Sequence, residues 1–325
     1  MTRQVEIEPE GKVQSRHLLL FTASLLLPSA LWMVLGWMSC LLPLLVFVFI
    51  LKFGWRHTTT QLTYALPVAA LIGYFLHIFE LVLFMAALLP AGYVVAHAAT
   101  RNQKPWQAGL KECVALALTL YLFFSILLID NGLTVFNAIV ESLNYGIDES
   151  LKHYSTSGMS AENMAMLAQT LNQVKHLAPL ILPGVLGSIL LAIVWLTLVP
   201  ANVLLPALGT KSPWSSYRYW QLPEKLIWAL IAAGVTAAIP GQPLQIWGIN
   251  SLIIITVLYG FQGLAIAVFL LHKWQVPRFL RTLIYVVILL QSFGTILLVI
   301  AGVADVWCDI RRLKKPAEDD TTNFE

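Results

Sequence analysis

The sequence predicts an all-α, polytopic transmembrane helix bundle of eight or nine membrane blocks with an external amphipathic helical segment. Residues 18–304 form a succession of apolar stretches, and about 20 such residues span a hydrocarbon core of roughly 30 Å. Of the 325 residues, 58% are hydrophobic and only 11% are charged, whereas soluble domains carry about 25% charged residues. Because a lipid-facing backbone must satisfy its hydrogen bonds within each segment, every block is predicted to be helical.

Nine apolar blocks are separated by joints that carry most of the Lys and Arg residues. They cover residues 18–35, 38–53, 60–77, 78–98, 106–129, 177–208, 226–239, 247–271 and 279–304. The seventh block is short and is followed by Pro240-Gly241-Gln242-Pro243. We therefore expect it to break or re-enter the membrane, which leaves eight crossings. Nine full passes are the alternative, and they place the C-terminus on the opposite side.

Charge at the joints predicts the orientation of the first six blocks. Three joints are basic, through Lys52, Arg56, Arg101, Lys104, Lys111, Lys211, Arg218 and Lys225. Segment 130–176 has the opposite balance, with five acidic residues against two lysines. Since Lys and Arg collect on the cytoplasmic side, the N-terminal tail (residues 1–17) and the basic joints are predicted to be cytoplasmic. Segment 130–176 is then external, and residues 305–325 form a polar, partly disordered tail.

The external segment shows helical periodicity in two places. Apolar residues recur at helical spacing within residues 133–151 and again within residues 164–174. Ser160, followed by Glu162, is a candidate start of the second helix. Two amphipathic helices that cap the bundle or lie on the membrane surface fit this pattern. A lid over a cavity is the functional alternative.

An ionisable pair, His77 and Glu80, lies between the third and fourth blocks. An ionisable group within a span costs roughly 2.5–3.5 kcal/mol on insertion scales, so each one requires a reason. The two residues share one face if the helix continues through them, as a proton-titratable or cation-binding pair facing a cavity would. Alternatively, the two blocks turn here and both side chains lie at the external interface.

Polar amides and small residues mark the interiors of the blocks. Asn250 and Gln262 are amides within the eighth block, where such groups hydrogen-bond across helices more often than they bind ligands. A stripe of small residues, Ala65, Ala69 and Gly73, allows close helix approach. Ala87 and Ala91 form a shorter stripe. These stripes predict either packing within the bundle or docking on a partner subunit.

Sequence motifs for catalysis and cofactor binding are missing. There is no phosphate-binding Gly-x-x-x-x-Gly-Lys loop, no His-Glu-x-x-His and no Gly-x-Ser-x-Gly. The three cysteines share no metal-type spacing, and their odd number argues against a disulfide framework. The formal charge of +3 is too small to suggest nucleic acid. We expect a non-enzymatic protein with no catalytic residue, no metal site and no cofactor.

Two motifs in the last third of the chain resemble a known family. Residues 258–265 read Leu-Tyr-Gly-Phe-Gln-Gly-Leu-Ala, which is similar to the aromatic-x-x-Gln-Gly-Leu signature of the YybS-like predicted membrane proteins of bacteria. The ending Gly302-x-x-Asp305-x-Trp307-x-Asp309-x-Arg311 resembles the same family's C-terminal pattern. The resemblance covers most of the chain in the order of its spans. It implies a multi-pass protein of the bacterial cytoplasmic (inner) membrane, in a family whose activity is unassigned.

The layout of that family is faintly similar to the substrate-binding subunits of energy-coupling-factor vitamin transporters. Those subunits carry an Ala-x-x-x-Ala contact in their first span, whereas here Ala65 and Ala69 lie in the third block. This departure weakens the expectation of a transporter partnership.

Two functional hypotheses follow. The first is a solute-binding or transport component that binds a small molecule in a cavity lined by His77, Glu80, Asn250 and Gln262. The second is a non-transporting scaffold that recruits an envelope or cytoplasmic protein partner. Its docking surface would comprise the small-residue stripes and an interfacial set at the end of the last block, namely Asp305, Asp309, Arg311 and Arg312. In both hypotheses the lipid bilayer surrounds the membrane-spanning blocks.

Overall fold

The computed structural model describes residues 14–129, 132–156, 160–241 and 243–313, and every regular element in those ranges is helical. This confirms the all-α class. The predicted tails, residues 1–17 and 305–325, lie mostly outside the described residues, as do Asp130 of the external segment and Gln242 of the predicted break.

The helices follow the apolar blocks, with shifted ends. They are α1 (Ser15–Ala30), α2 (Trp32–Leu35), α3 (Leu42–Phe53), α4 (Trp55–Phe75), α5 (Phe79–Thr100), α6 (Pro105–Leu127), α7 (Val135–Ser155), α8 (Ala161–Ala207), α9 (Leu226–Ala238), α10 (Leu244–Lys273), α11 (Arg278–Leu290) and α12 (Ser292–Cys308). A 3-10 turn joins α2 to α3. Because α1 begins at Ser15, the end of the predicted N-terminal tail is helical.

The predicted eight or nine membrane blocks are not confirmed. Within the described residues, five stretches are long and apolar enough to cross a membrane: Trp32–Phe53, Phe79–Thr100, Pro105–Leu127, Glu162–Ala207 and Leu244–Lys273. A sixth is added if α11 and α12, which meet at a bend of 98°, form one broken span. The helices α1 and α9 have only 16 and 13 residues, short of the 17 or more that a crossing takes.

The second predicted external helix and the sixth block form one continuous helix rather than two elements. α8 has 47 residues and runs through position 177 without a break. At 1.5 Å per residue it is about 70 Å long, more than twice the hydrocarbon thickness. Its N-terminal part is tied to α7 by an ion pair between Lys175 and Asp148. The predicted pair of helices in segment 130–176 is therefore present, but the second helix continues into a stretch that is long and apolar enough to cross a membrane.

The chain divides into two compact units. The first unit comprises Met1–Leu180 and Ile189–Trp214, and its core surrounds α3. Gly92 of α5 allows a close approach to α3, since a Cβ there would lie 2.5 Å from the carbonyl oxygen of Pro43. The stripe of Ala65, Ala69 and Gly73 is buried, which indicates packing within the unit rather than a surface for a partner.

The second unit comprises Ile181–Ser188 and Ser215–Glu325. Its centre is α10, which packs between α9 and α12. At Gly248 of α10, a Cβ would lie 2.3 Å from the backbone nitrogen of Ala237 in α9. Glycine therefore sets the spacing of this helix pair.

Candidate functional site

The first of the two family-like motifs lies where α10 crosses α12. A Cβ at Gly263 would lie 1.8 Å from the carbonyl oxygen of Leu298, and one at Gly302 would lie 2.1 Å from that of Tyr259. No side chain fits in either place. The two glycines therefore permit backbone contact between the helices, and the neighbouring Tyr259 is completely buried.

A buried ion pair lies beside this crossing. The Arg311 Nη2 atom donates to Asp305 Oδ2 at 2.7 Å, and the two residues are 4% and 3% exposed. Gln262 Nε2 donates to the same carboxylate oxygen at 3.2 Å. Arg311 Nη1 also donates to the carbonyl oxygens of Arg218 and Trp220, at 3.0 and 2.8 Å. We call Gln262, Asp305 and Arg311 the C-terminal lock.

The C-terminal lock also fixes the loop before α9. The Gln262 Oε1 atom accepts a hydrogen bond from the backbone N–H of Leu222 at 3.1 Å. Arg311 and Gln262 thus bind the backbone of residues 218–222 from two sides. The lock joins α10, α12 and this loop through buried contacts at Asp305 and partly buried contacts to the loop.

Asp309 and Arg312 lie apart from the buried pair. Since α12 ends at Cys308, Asp309 is its C-cap, in the left-handed conformation with φ 38°. Its Oδ1 atom accepts a hydrogen bond from the backbone N–H of Leu313 at 2.9 Å. Asp305 and Asp309 therefore do not share a helical face. Of the four predicted docking residues, Asp305 and Arg311 are buried, whereas Asp309 is half-buried and Arg312 is exposed.

His77 and Glu80 lie at the turn between α4 and α5, and both are exposed. His77 has φ 57°, and its N–H donates to Tyr74 O while that of Ile78 donates to Gly73 O. These two bonds form a Schellman motif, in which His77 occupies the left-handed position that usually holds glycine. The structure therefore has the alternative in which the third and fourth blocks turn at His77 and Glu80.

Asn250 is buried, and both ends of its amide are used within the second unit. Its Oδ1 atom accepts from the backbone N–H of Gly184, and its Nδ2 atom donates to Ile246 O at 2.8 Å. Gln262 lies twelve residues further along α10, about 18 Å away by helical rise. These two amides are therefore not in contact with each other. Because His77 and Glu80 belong to the first unit, a cavity shared by all four residues stays a prediction.

The sequence reasoning missed Glu112 of α6, which is completely buried in the first unit. Neither of its carboxyl oxygens has hydrogen-bond geometry to any described residue. The neighbouring hydroxyl is that of Thr197 in α8, and it donates its proton to Ile193 O at 3.0 Å. Glu112 follows the exposed Lys111, so in the sequence it reads as part of a basic joint.

The packing of α6 on α8 explains why Glu112 is inaccessible. Gly109 lies one turn before it, and a Cβ at Gly109 would lie 3.0 Å from Val194 and 3.3 Å from Leu198. The missing side chain lets α8 approach α6 closely and cover the next turn. The signal in the sequence was a glycine three residues before an acidic residue near the start of an apolar block.

Comparison with protein families adds an assignment to this geometry. Residues 18–306 match the family described as predicted membrane protein (DUF2232). The chain belongs to the DUF2232 family. The resemblance to the YybS-like membrane proteins is thereby confirmed at family level. No curated protein and no solved structure matches the chain.

The extent of the DUF2232 match covers most of the sites described above. It includes Glu112, Gln262 and Asp305, and it ends before Arg311. The motif residues Tyr259, Gln262 and Gly263 form the α10–α12 crossing and its lock. In this DUF2232 protein, the motifs thus define a packed joint within the second unit, distinct from the carboxyl group at Glu112 in the first.

Proposed function

We propose that this chain is a solute-binding or transport component of a bacterial inner membrane, with Glu112 as the group that carries a proton in its working cycle. The observation that carries the proposal is a completely buried carboxyl group that has no ionic partner among the described residues and has the Thr197 hydroxyl as its polar neighbour. It lies within Pro105–Leu127, one of the candidate spans. An ionisable residue in such a place marks an ion or proton pathway by default.

The surroundings of Glu112 favour a proton over a metal ion. An ionised carboxylate without a counter-charge costs several kcal/mol in an apolar interior, so a cation must accompany it. Because the Thr197 hydroxyl already donates to Ile193 O, its oxygen is left with lone pairs that suit a protonated carboxyl group. Hard metal ions require about six oxygen ligands. One hydroxyl acceptor is enough for a proton.

Other hypothetical site residues contribute less to this proposal. His77 caps a helix, and the amides of Asn250 and Gln262 are used in hydrogen bonds within the second unit. The scaffold alternative drew on the small-residue stripe and on residues 305–312. The stripe residues and the Asp305–Arg311 pair face inward, so binding is the role that we favour over recruitment. The proposed role includes no catalytic step.

A thermal-shift screen tests the proposal with purified protein in detergent. Wild type, Glu112→Gln and, as a control, Glu80→Gln are each heated at two pH values with a panel of vitamins, nucleobases and metal salts. A bound solute stabilises the protein by mass action. We expect a stabilisation that depends on pH in wild type and in Glu80→Gln but not in Glu112→Gln. An unchanged pH dependence in Glu112→Gln contradicts the role of this carboxyl group.

A second pair of variants separates proton binding from packing. Thr197→Ser keeps the hydroxyl beside Glu112, and Thr197→Val replaces it by a methyl group of similar volume. We expect the pH dependence of solute stabilisation to survive in Thr197→Ser and to shift in Thr197→Val. An equal response of both variants would assign Thr197 to packing alone.

A further inference from the structure

Helix α11 has an amphipathic surface that the rest of the second unit does not cover. Among its 13 residues none is buried. Phe279 and Leu290, near its two ends, are 82% and 81% exposed. The helix therefore contributes little to the core of the unit, although most of its residues are apolar.

The polar residues of α11 are grouped on one face, and large exposed apolar residues are grouped on another. Arg278, Arg281, Thr282 and Tyr285 recur at the spacing of one helical face. Phe279, Leu283, Val286 and Leu290 form a second face, about 120° around the helix from the first. A helix with basic residues on one face and large apolar residues on the other is typical of the membrane–water interface.

The geometry at both ends of α11 prevents it from extending the span of α12. It meets α12 at a bend of 98°, where Gly294 is needed because a Cβ would lie 2.5 Å from Ile288 O. At its other end, Arg281 Nη1 lies 2.7 Å from His272 Nε2 in the last turn of α10. The helix is about 20 Å long. Being nearly perpendicular to α12, it displaces the chain along the α12 axis by only a few ångströms.

Positive charge collects around the same helix. Lys273 and Arg278 are exposed, and no acidic residue occurs between positions 272 and 291. Trp274, 64% exposed, lies between them, and tryptophan is enriched at membrane interfaces. Arg281 serves as an anchor to α10, which leaves Lys273 and Arg278 to face an anionic surface.

We propose that α11 lies in the plane of the bilayer interface and binds anionic lipid headgroups through Lys273 and Arg278. Its apolar face, Phe279 to Leu290, rests among the outer parts of the acyl chains. The membrane crossing at this end of the chain is then made by α12 alone. The occupant of this surface is a phospholipid layer with net negative charge.

Depth measurements with spin labels test the orientation. Single cysteines at 279, 283, 286 and 290, in a chain with Cys40, Cys113 and Cys308 replaced by serine, carry nitroxides in vesicles of phosphatidylcholine and phosphatidylglycerol. We expect one shallow depth at all four positions. Labels at 293 and 300 on α12 serve as the control and should differ in depth by about 10 Å. A depth that changes by about 16 Å from 279 to 290 overturns the proposal.

Lipid selectivity tests the two basic side chains. The association of spin-labelled phosphatidylglycerol, relative to phosphatidylcholine, is measured for wild type, Lys273→Gln, Arg278→Gln and the double variant. Each basic residue near an anionic surface contributes a factor of about five, so we expect a loss of this size in each single variant. The control Lys152→Gln removes a charge from α7 and should leave the selectivity unchanged.

Two results would overturn the proposal that Lys273 and Arg278 bind anionic lipid headgroups. One is unchanged selectivity in the double variant. The other is displacement of phosphatidylglycerol by excess inorganic phosphate in wild type, which would identify a site for a soluble anion. The depth profile depends on the fold and orientation of α11 and not on the charges of its side chains. A variant that loses lipid selectivity but keeps the depth profile has therefore remained folded.

Discussion

Single residues in this chain have roles that their positions in the sequence did not reveal. Glu112 stands beside Lys111 of a basic joint and was not predicted as a site residue, because its burial depends on α8, about 85 residues away along the chain. His77 was a candidate ligand, yet its left-handed backbone makes it a helix cap. Asp305 and Arg311 were recognised as a set, but their pairing requires the turn at Asp309 that no local pattern predicts.

We predict that breaking the C-terminal lock on one side destabilises the protein strongly. Asp305→Asn leaves the Arg311 charge buried without its carboxylate, at a cost of about 3–5 kcal/mol. The double variant Asp305→Leu with Arg311→Met should recover most of that loss. Thermal unfolding in detergent provides the measurement.

The control for this prediction is Glu149→Gln. It breaks an exposed ion pair with Lys152 on α7 and should have no measurable effect, since exposed pairs contribute little. If Asp305→Asn unfolds at the same temperature as Glu149→Gln, the buried pair does not stabilise the unit.

A second prediction at this scale concerns His77. A non-glycine residue in the left-handed region costs about 1–2 kcal/mol, so His77→Gly should raise the unfolding temperature. Asn102 occupies the equivalent position after α5, with φ 51°, and asparagine tolerates this conformation better. Asn102→Gly should therefore raise it less. A lower unfolding temperature in His77→Gly would indicate that the imidazole has stabilising contacts beyond the cap.

At the scale of the helix, the sequence predicted which segments are helical better than it predicted where a helix continues or breaks. Apolar blocks became helices because bilayer-embedded backbones have no alternative, and the shortness of the seventh block was already visible. The boundary predicted between residues 176 and 177 is absent from α8, because an amphipathic helix and an apolar span share one period and no glycine or proline separates residues 175 and 177. The break between α11 and α12 at Gln291 was not predicted, because the apolar run of the last block continues through this residue.

The α10–α12 crossing leads to a prediction with an internal control. In Gly263→Ala the added methyl group meets the Leu298 backbone, which forces the helices apart at about 1–3 kcal/mol. Gly260 lies on the same helix, where a Cβ would be 3.7 Å from Val299. Gly260→Ala should be neutral or stabilising, because alanine favours helix. Similar unfolding temperatures for the two variants would contradict the close crossing.

For the whole molecule, composition alone identified a membrane protein, whereas the number of crossings depended on where helices bend and end. The sidedness of the joints was predicted from their charge, and it is tested separately from that count. Positively charged joints and the acidic α7–α8 segment predict opposite sides.

Labelling of single cysteines tests the sidedness. In the cysteine-free chain, Glu141→Cys in α7 and Arg101→Cys after α5 are both exposed positions. A membrane-impermeant maleimide should label position 141 in intact spheroplasts and position 101 only after permeabilisation. Labelling of both positions in intact spheroplasts would mean that the basic joint is not cytoplasmic.

The most direct test of the account is the infrared spectrum of the Glu112 carboxyl group in the purified protein at neutral pH. The difference between wild type and Glu112→Gln should contain the carbonyl stretch of a protonated carboxylic acid, shifted in deuterated water, and the difference for the exposed Glu80→Gln should not. If the Glu112 difference contains only carboxylate bands, this residue does not hold a proton and the proposed function loses its basis.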